Sequence, residues 1–270
     1  MNDFRIGIIG GTRGMGGWFA RFFRVRGYSV RVFGRNMGIE DVAEMADACR
    51  VFVVSVPIGV TRKVIEKVGP HVRKDALLMD LTSLKYGPVK AMLEASVSEV
   101  IGCHPLFGPQ VDSIAGQRVV LCPARGKKWL PWLKDILERN GALVVEATPE
   151  KHDQMMAIVQ GLNHFNTIMM GMVVNRTGVC ISELMKFTTP VFKTKMEIIE
   201  KVFCQNPRLY AEIIAMNPDV RQLIESYEKS LTELKNLIDQ GNAAGIANVI
   251  QNHAACFKHI FCRSQVKNSF

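Results

Sequence analysis

Long apolar runs are missing from this sequence: no stretch approaches the roughly 20 consecutive apolar residues that a membrane-crossing helix needs. The N-terminus passes straight from Met-Asn-Asp into alternating apolar residues, without a signal-peptide pattern, so a soluble, cytoplasmic protein is expected. Cysteine is sparse and unpatterned. The seven (Cys49, Cys103, Cys122, Cys180, Cys204, Cys256 and Cys262) are odd in number and contain no C-x-x-C, which argues against a disulfide framework and against a zinc site. Most are expected to be reduced core thiols, and no metal is expected. Lys/Arg runs interleaved with aromatics are also absent, so the net charge of +9 does not read as a nucleic-acid surface. No internal repeat or low-complexity segment occurs.

What is present is apolar content of 48% over 270 residues, enough for two cores. The charge is unevenly placed: residues 1–148 hold 21 Lys+Arg against 14 Asp+Glu, and the remainder hold 13 against 11. Anionic ligands are therefore expected in the first half. There, strand patterns at Arg5–Ile9, Ser29–Phe33, Val51–Val56, Leu77–Asp80, Glu99–Cys103, Arg118–Cys122 and Leu143–Val145 alternate with helical spacing at Gly14–Arg26, Thr61–Val68, Gly87–Glu94 and Lys127–Asn140. Such alternation predicts an α/β fold, a Rossmann-type doubly wound, mainly parallel sheet. From Glu150 the pattern is helical, around 150–175, 190–204, 207–215, 219–239 and 243–262. The expected organisation is a dinucleotide-binding domain over 1–148 and a C-terminal all-helical domain over 149–270 that supplies the substrate pocket and a dimer interface.

The first strand runs into Gly10-Gly11-Thr12-Arg13-Gly14-Met15-Gly16 and then a helix. Glycines let the backbone turn tightly and approach a pyrophosphate, while free amides at the helix start favour negative charge. The spacing is one residue longer than G-x-G-x-x-G, so its place after a first strand carries the assignment; the alternative is a purely structural turn. At the end of the second strand, Val32-Phe33-Gly34-Arg35-Asn36 lacks the carboxylate that would hold a ribose 2′-hydroxyl. Arg35, helped by Thr12 and Arg13, is suited to a 2′-phosphate, which favours NADP with NAD as the alternative; otherwise Arg35 is a solvated strand-end charge.

Three further motifs fall at carboxyl ends of predicted strands: Ser55-Val56-Pro57-Ile58, Asp80-Leu81-Thr82-Ser83-Leu84-Lys85, and Gly102-Cys103-His104-Pro105-Leu106-Phe107-Gly108-Pro109. An open α/β sheet binds ligands at that edge, so the three should converge on one crevice, with His104 and Ser83 as the chemical pair. A glycine turn, S-V-P, D-x-x-S-x-K and H-P-x-F-G-P in this order closely resemble the prephenate dehydrogenase family. The resemblance continues through Glu150-Lys151-His152-Asp153-Gln154-Met155-Met156-Ala157, His164-Phe165, Thr188-Thr189-Pro190 and Gln205-Asn206-Pro207-Arg208-Leu209-Tyr210-Ala211.

That resemblance implies oxidative decarboxylation of prephenate to 4-hydroxyphenylpyruvate in tyrosine biosynthesis. His104 would take the proton of the ring hydroxyl, Ser83 would orient it, and hydride would pass to the nicotinamide. Prephenate carries two carboxylates, and where the family commonly has arginines this chain has Lys193 and Lys201, which keep the charge but lose the planar fork. Arogenate, with an amino group in place of the side-chain keto group, therefore stays open as substrate. Arg176 and Arg208 are further candidate cations, and Tyr210, His152 and His164 are candidate pocket residues or else structural ones. The Met-rich stretch Met155, Met156, Met169, Met170 and Met172 reads as core or dimer interface, and Trp18, Trp129 and Trp132 as packing residues. The rival readings are another oxidoreductase of the same architecture and a dinucleotide-sensing regulatory protein without catalysis. The length is expected to leave no room for a fused mutase, and a homodimer through the helical domain is expected.

Overall fold

A computed structural model describes residues 4–34 and 38–257. Seven strands form one sheet in the order β2-β1-β3-β4-β5-β6-β7: Arg5–Ile9 (β1), Ser29–Phe33 (β2), Cys49–Val54 (β3), Leu77–Asp80 (β4), Glu99–Pro105 (β5), Arg118–Arg125 (β6) and Leu143–Glu146 (β7). All neighbours are parallel except β5 and β6. The expected mainly parallel sheet is found. β6 runs antiparallel because residues 106–117 contain no crossover helix, and a parallel return would need one. β5 extends past the expected end at Cys103, since His104 and Pro105 pair with Val120 and Val119 of β6. His104 is therefore held in a ladder rather than in a loop.

Helices cover both faces. Gly14–Val25 (α1) and Trp129–Glu138 (α5) bury Trp18, Phe19, Phe23, Trp129 and Leu133 on one side. Ile39–Ala48 (α2), Ile58–Val68 (α3) and Tyr86–Ala95 (α4) pack Met45, Ile65 and Met92 against Phe52 and Leu78 on the other. Residues 6–9, 51–54 and 77–79 in the central strands are buried because parallel strands are covered on both faces, whereas the edge strands β2 and β7 are largely half-buried or exposed. The three tryptophans pack as expected: Phe4, Trp129 and Trp132 form an edge-to-face cluster, while the Trp18 indole N–H donates to the Val111 carbonyl at 2.7 Å.

Beyond β7 the chain is helical. Pro149–Met156 (α6) starts at a Thr148 cap, whose hydroxyl accepts from the Lys151 amide, and Pro149 at its first turn suits the helix start. It continues through a π-helical turn, Ala157–Leu162, into Asn163–Arg176 (α7). A short Ile181–Leu184 helix (α8) precedes Pro190–Cys204 (α9), capped by Thr189, and Pro207–Met216 (α10), capped by Asn206. These elements and the sheet make one compact unit through Val220. A second unit, from Arg221 onward, holds most of Val220–Asp239 (α11) and all of Ala243–Ala254 (α12); a side chain at Gly245 would meet Leu237, so α12 lies closely on the end of α11.

No single helix among the described residues is long and apolar enough to cross a membrane. The expectation that most cysteines are core thiols is corrected. Cys49, Cys103 and Cys122, on strands, are buried, whereas Cys180, Cys204 and Cys256 lie on the helical surface and are exposed. All six are free, and Cys262 lies outside the described residues.

Candidate active site

The glycine turn between β1 and α1 is built by close backbone approach. Gly10 has φ +80°, and a Cβ there would stand 2.1 Å from the Ser55 carbonyl oxygen; one at Gly16 would stand 2.6 Å from the Gly10 carbonyl oxygen. Gly14, also left-handed at φ +56°, faces open space, with nothing within 4 Å of where its Cβ would be. No side chain caps the first turn of α1, and no acidic residue lies in it. Its unmatched N–H groups and positive dipole end therefore face that space, a cradle that fits a dinucleotide pyrophosphate. Gly11, Met15 and the Ser55-Val56-Pro57 turn border it; the Ser55 amide donates to Ile9 at 2.9 Å, tying the two turns together. Thr12 and Arg13 are exposed at its rim, and Arg35 lies outside the described residues.

At the neighbouring strand ends, His104 is buried at 3% exposure, and its Nδ1 lies 2.8 Å from His152 Nε2. His152 Nδ1 lies 2.7 Å from Asp153 Oδ1. The Asp153 carboxylate also accepts the backbone N–H of Lys85 (2.8 Å) and of Tyr86 (2.9 Å), capping α4 from a distant segment. A carboxylate that accepts every bond leaves His152 Nδ1 as donor. With His152 accepting at Nε2, His104 donates from Nδ1 and carries its lone pair on Nε2. No protein group among the described residues bonds that Nε2. In that tautomer the chain leaves a base directed away from the relay.

Lys85 is fully buried. Its ammonium donates to Asp80, which also accepts from the Thr82 hydroxyl, and to the Cys103 carbonyl at 2.8 Å. Gly102 makes room for it, since a Cβ there would be 2.9 Å from Lys85 Cδ. Burial, followed by the nearby His152 and Lys85, pushes the His104 imidazole well below its ordinary value and keeps it neutral.

The structure places two further expected site residues. Ser83 is half-buried and makes no hydrogen bond among the described residues, and the His104 Nδ1 partner is His152. His152 is buried, and both its ring nitrogens bond protein groups. The sequence offered the pair His152-Asp153 but not its partner, since a contact across 48 residues depends on how α6 docks on β5.

α10 roofs this edge. Its Leu209 and Ile213 pack on Ile58, at the start of α3, and on Leu84, from the loop after β4. On the same helix the Tyr210 ring meets His164 of α7 edge-on at 4.8 Å. Burial lowers the His164 imidazole and raises the Tyr210 phenol from their ordinary values. On the π turn between His152 and His164, the Gln160 Oε1 is buried without a donor, a candidate contact that sequence reading missed because Gln160 belongs to no motif. Lys193 and Lys201 are exposed on α9 and form no ion pair among the described residues. Arg176 is exposed at the end of α7, and Arg208 is paired with Glu212 at 2.8 Å.

A glycine-turn cradle and a strand-end imidazole at the carboxyl edge of a parallel sheet define the class, a dinucleotide-binding α/β fold. Comparison with known proteins sharpens this. Residues 19–146 match the nucleotide-binding domain of prephenate dehydrogenase and residues 148–252 its dimerization domain, so the chain belongs to the prephenate dehydrogenase family. A probable arogenate/prephenate dehydrogenase of Methanocaldococcus jannaschii is 38% identical over 94% of this chain and 61% of its own length. The T-protein of Haemophilus influenzae is 33% identical over 88% of this chain and 64% of its own length. The chain therefore spans less than two thirds of these relatives. A crystal structure of the Aquifex aeolicus prephenate dehydrogenase with hydroxyphenyl propionate and NAD+ shares the fold, with a TM-score of 0.72 at 23% identity, covering 95% of this chain and 98% of that one.

Proposed function

We propose that this chain oxidatively decarboxylates prephenate to 4-hydroxyphenylpyruvate, with NADP favoured over NAD, and that its nucleotide-binding and helical parts meet at residues 148/149. The observation that carries the reading is the free Nε2 of a buried, neutral His104 at the edge where the glycine turn and α10 converge. This nitrogen takes the proton of the ring hydroxyl as that oxygen becomes a carbonyl. The bound nicotinamide supplies hydride acceptance from the carbon bearing the hydroxyl. The ring carboxylate leaves as carbon dioxide, and its electron pair completes the aromatic ring. Ser83, whose hydroxyl makes no hydrogen bond among the described residues, bonds the same substrate oxygen in this reading. His164 and Tyr210 form the wall beyond, and Lys193 and Lys201 supply positive charge for the two carboxylates. Arg13 and Arg35 favour a 2′-phosphate at the far end of the dinucleotide.

A second reading, arogenate as substrate, is favoured by one observation: the buried Gln160 Oε1 lacks a donor, and an ammonium group would provide one. Initial rates of dinucleotide reduction with prephenate and arogenate, each with NADP and NAD, decide between them. Prephenate with NADP is expected to give the highest kcat/KM. An excess of arogenate turnover of about tenfold or more, or roughly 1.4 kcal/mol, would give the site to the amine. Turnover of neither would overturn both readings.

A further inference from the structure

His104 is well placed to receive a proton and poorly placed to keep one. It is buried, and the Lys85 ammonium that holds the Cys103 carbonyl is close by. Its Nδ1–H, however, points at the lone pair of a second imidazole, and that imidazole contacts a carboxylate. From this geometry, and resting on the dehydrogenation proposed above, we infer that His152 is the seat of the abstracted proton's charge and that Asp153 is its counter-ion. Both are then positioning residues for the reaction.

The step balances. As the substrate O–H breaks, an N–H forms at His104 Nε2; the N–H at His104 Nδ1 breaks, and one forms at His152 Nε2. No net charge remains on His104. The positive charge sits on His152, whose Nδ1–H donates to Asp153 at 2.7 Å. Transfer between two imidazoles has little intrinsic driving force, so the surroundings decide its direction. Lys85, from the loop after β4, acts on His104, and Asp153 on α6 bonds His152; Lys85 is paired with Asp80 of β4, and these two also face the thiols of Cys103 on β5 and Cys122 on β6, the latter together with Asp153 and Glu150 of α6. Burial first, then His152 and Lys85 disfavour a cation on His104, whereas of the two imidazoles only His152 bonds the Asp153 carboxylate. A charge-assisted bond at this distance in a buried site outweighs a neutral one. Asp153 does more than hold the ring: by accepting the Lys85 and Tyr86 amides it also keeps the Thr82–Lys85 loop against the relay.

Histidine 15N shifts, assigned with His104→Asn and followed as pH is lowered in the dinucleotide-bound wild type, test the inference without requiring turnover. The first imidazolium pattern of the pair is expected on His152, while His104 stays neutral and switches from its Nδ1–H to its Nε2–H tautomer. A first proton on His104 would overturn it. With substrate, wild type is expected to show a curved dependence of kcat on deuterium fraction, because two protons move. Asp153→Asn is expected to retain dinucleotide binding, lose about 100-fold in kcat and give a linear dependence. His152→Gln serves as a second variant should Asp153→Asn not fold. A folded, dinucleotide-binding variant of either residue that retains wild-type kcat and curvature would contradict the relay while leaving the dehydrogenase reading intact. Absence of wild-type turnover would remove the substrate assignment and leave the 15N result to decide the relay.

Discussion

A histidine kept neutral by burial makes the folded state acid-sensitive. The unfolded chain binds a proton to His104 near pH 6.5, whereas the folded chain binds it only at much lower pH, since burial, His152 and Lys85 oppose the charge. Stability from this group is therefore fully present above about pH 6.5 and declines as pH falls below it, by up to about 1.4 kcal/mol per pH unit. His164, lowered by burial, adds a smaller decline of the same sign. Urea unfolding of wild type and His104→Asn between pH 7 and 5 checks this: the wild type should lose stability more steeply, and parallel curves would contradict it. The buried Asp80–Lys85 pair belongs to the same scale. Removing one partner leaves a charge with no counter-ion, so Lys85→Met should destabilise by about 3–5 kcal/mol, measured as a drop in urea midpoint.

At the scale of elements, the turn between β1 and α1 separates two kinds of glycine. A methyl at Gly10 meets the Ser55 carbonyl, so Gly10→Ala should weaken folding and dinucleotide binding together. A methyl at Gly14 meets only open space and carries a left-handed penalty of about 1 kcal/mol, so Gly14→Ala should fold while dinucleotide affinity falls. Thermal melts with and without NADP separate the two, and an unchanged affinity in Gly14→Ala would remove that space as the pyrophosphate cradle. The strands, the turn and His104 were legible in the sequence because each rests on local periodicity or on a strand-end position. The antiparallel β6 was not, because direction depends on the connection. Neither was the π turn. Over the twelve residues from His152 to His164, a regular α-helix would rotate His164 about 120° away from His152. The wider turn at Ala157–Leu162 takes back part of that rotation and brings His164 toward the side of the relay. Nothing in the composition of Ala157–Leu162 announces it; the packing of Gly161 against Val220 is a tertiary event.

For the whole molecule, the sheet is closed by helices on both faces, but the helical part of the first unit leaves large apolar side chains in water. Val191, Ile198 and Phe203 on α9, Val173 on α7 and Phe187 before α9 are all exposed. Such a surface calls for a partner, and a second copy is the one the family's dimerization domain suggests. Light scattering at micromolar concentration should give twice the 30.2 kDa chain mass, and Val191→Asp with Ile198→Asp should reduce it to one. A monomeric wild type would contradict the assignment. The Met-rich stretch agrees in part: Met156 is core, whereas Met155 and Met172 are exposed.

His104 is the centre of the proposed reaction, and the most direct measurement is the formation of reduced nicotinamide from prephenate and NADP by wild type and His104→Asn, with dinucleotide affinity measured on both. The expected result is wild-type turnover that falls by about 10²- to 10⁴-fold in the variant while affinity stays within about twofold. A variant that binds the dinucleotide and turns over prephenate at the wild-type rate would show that the proton goes elsewhere and that the strand-end base is not the reaction's acceptor.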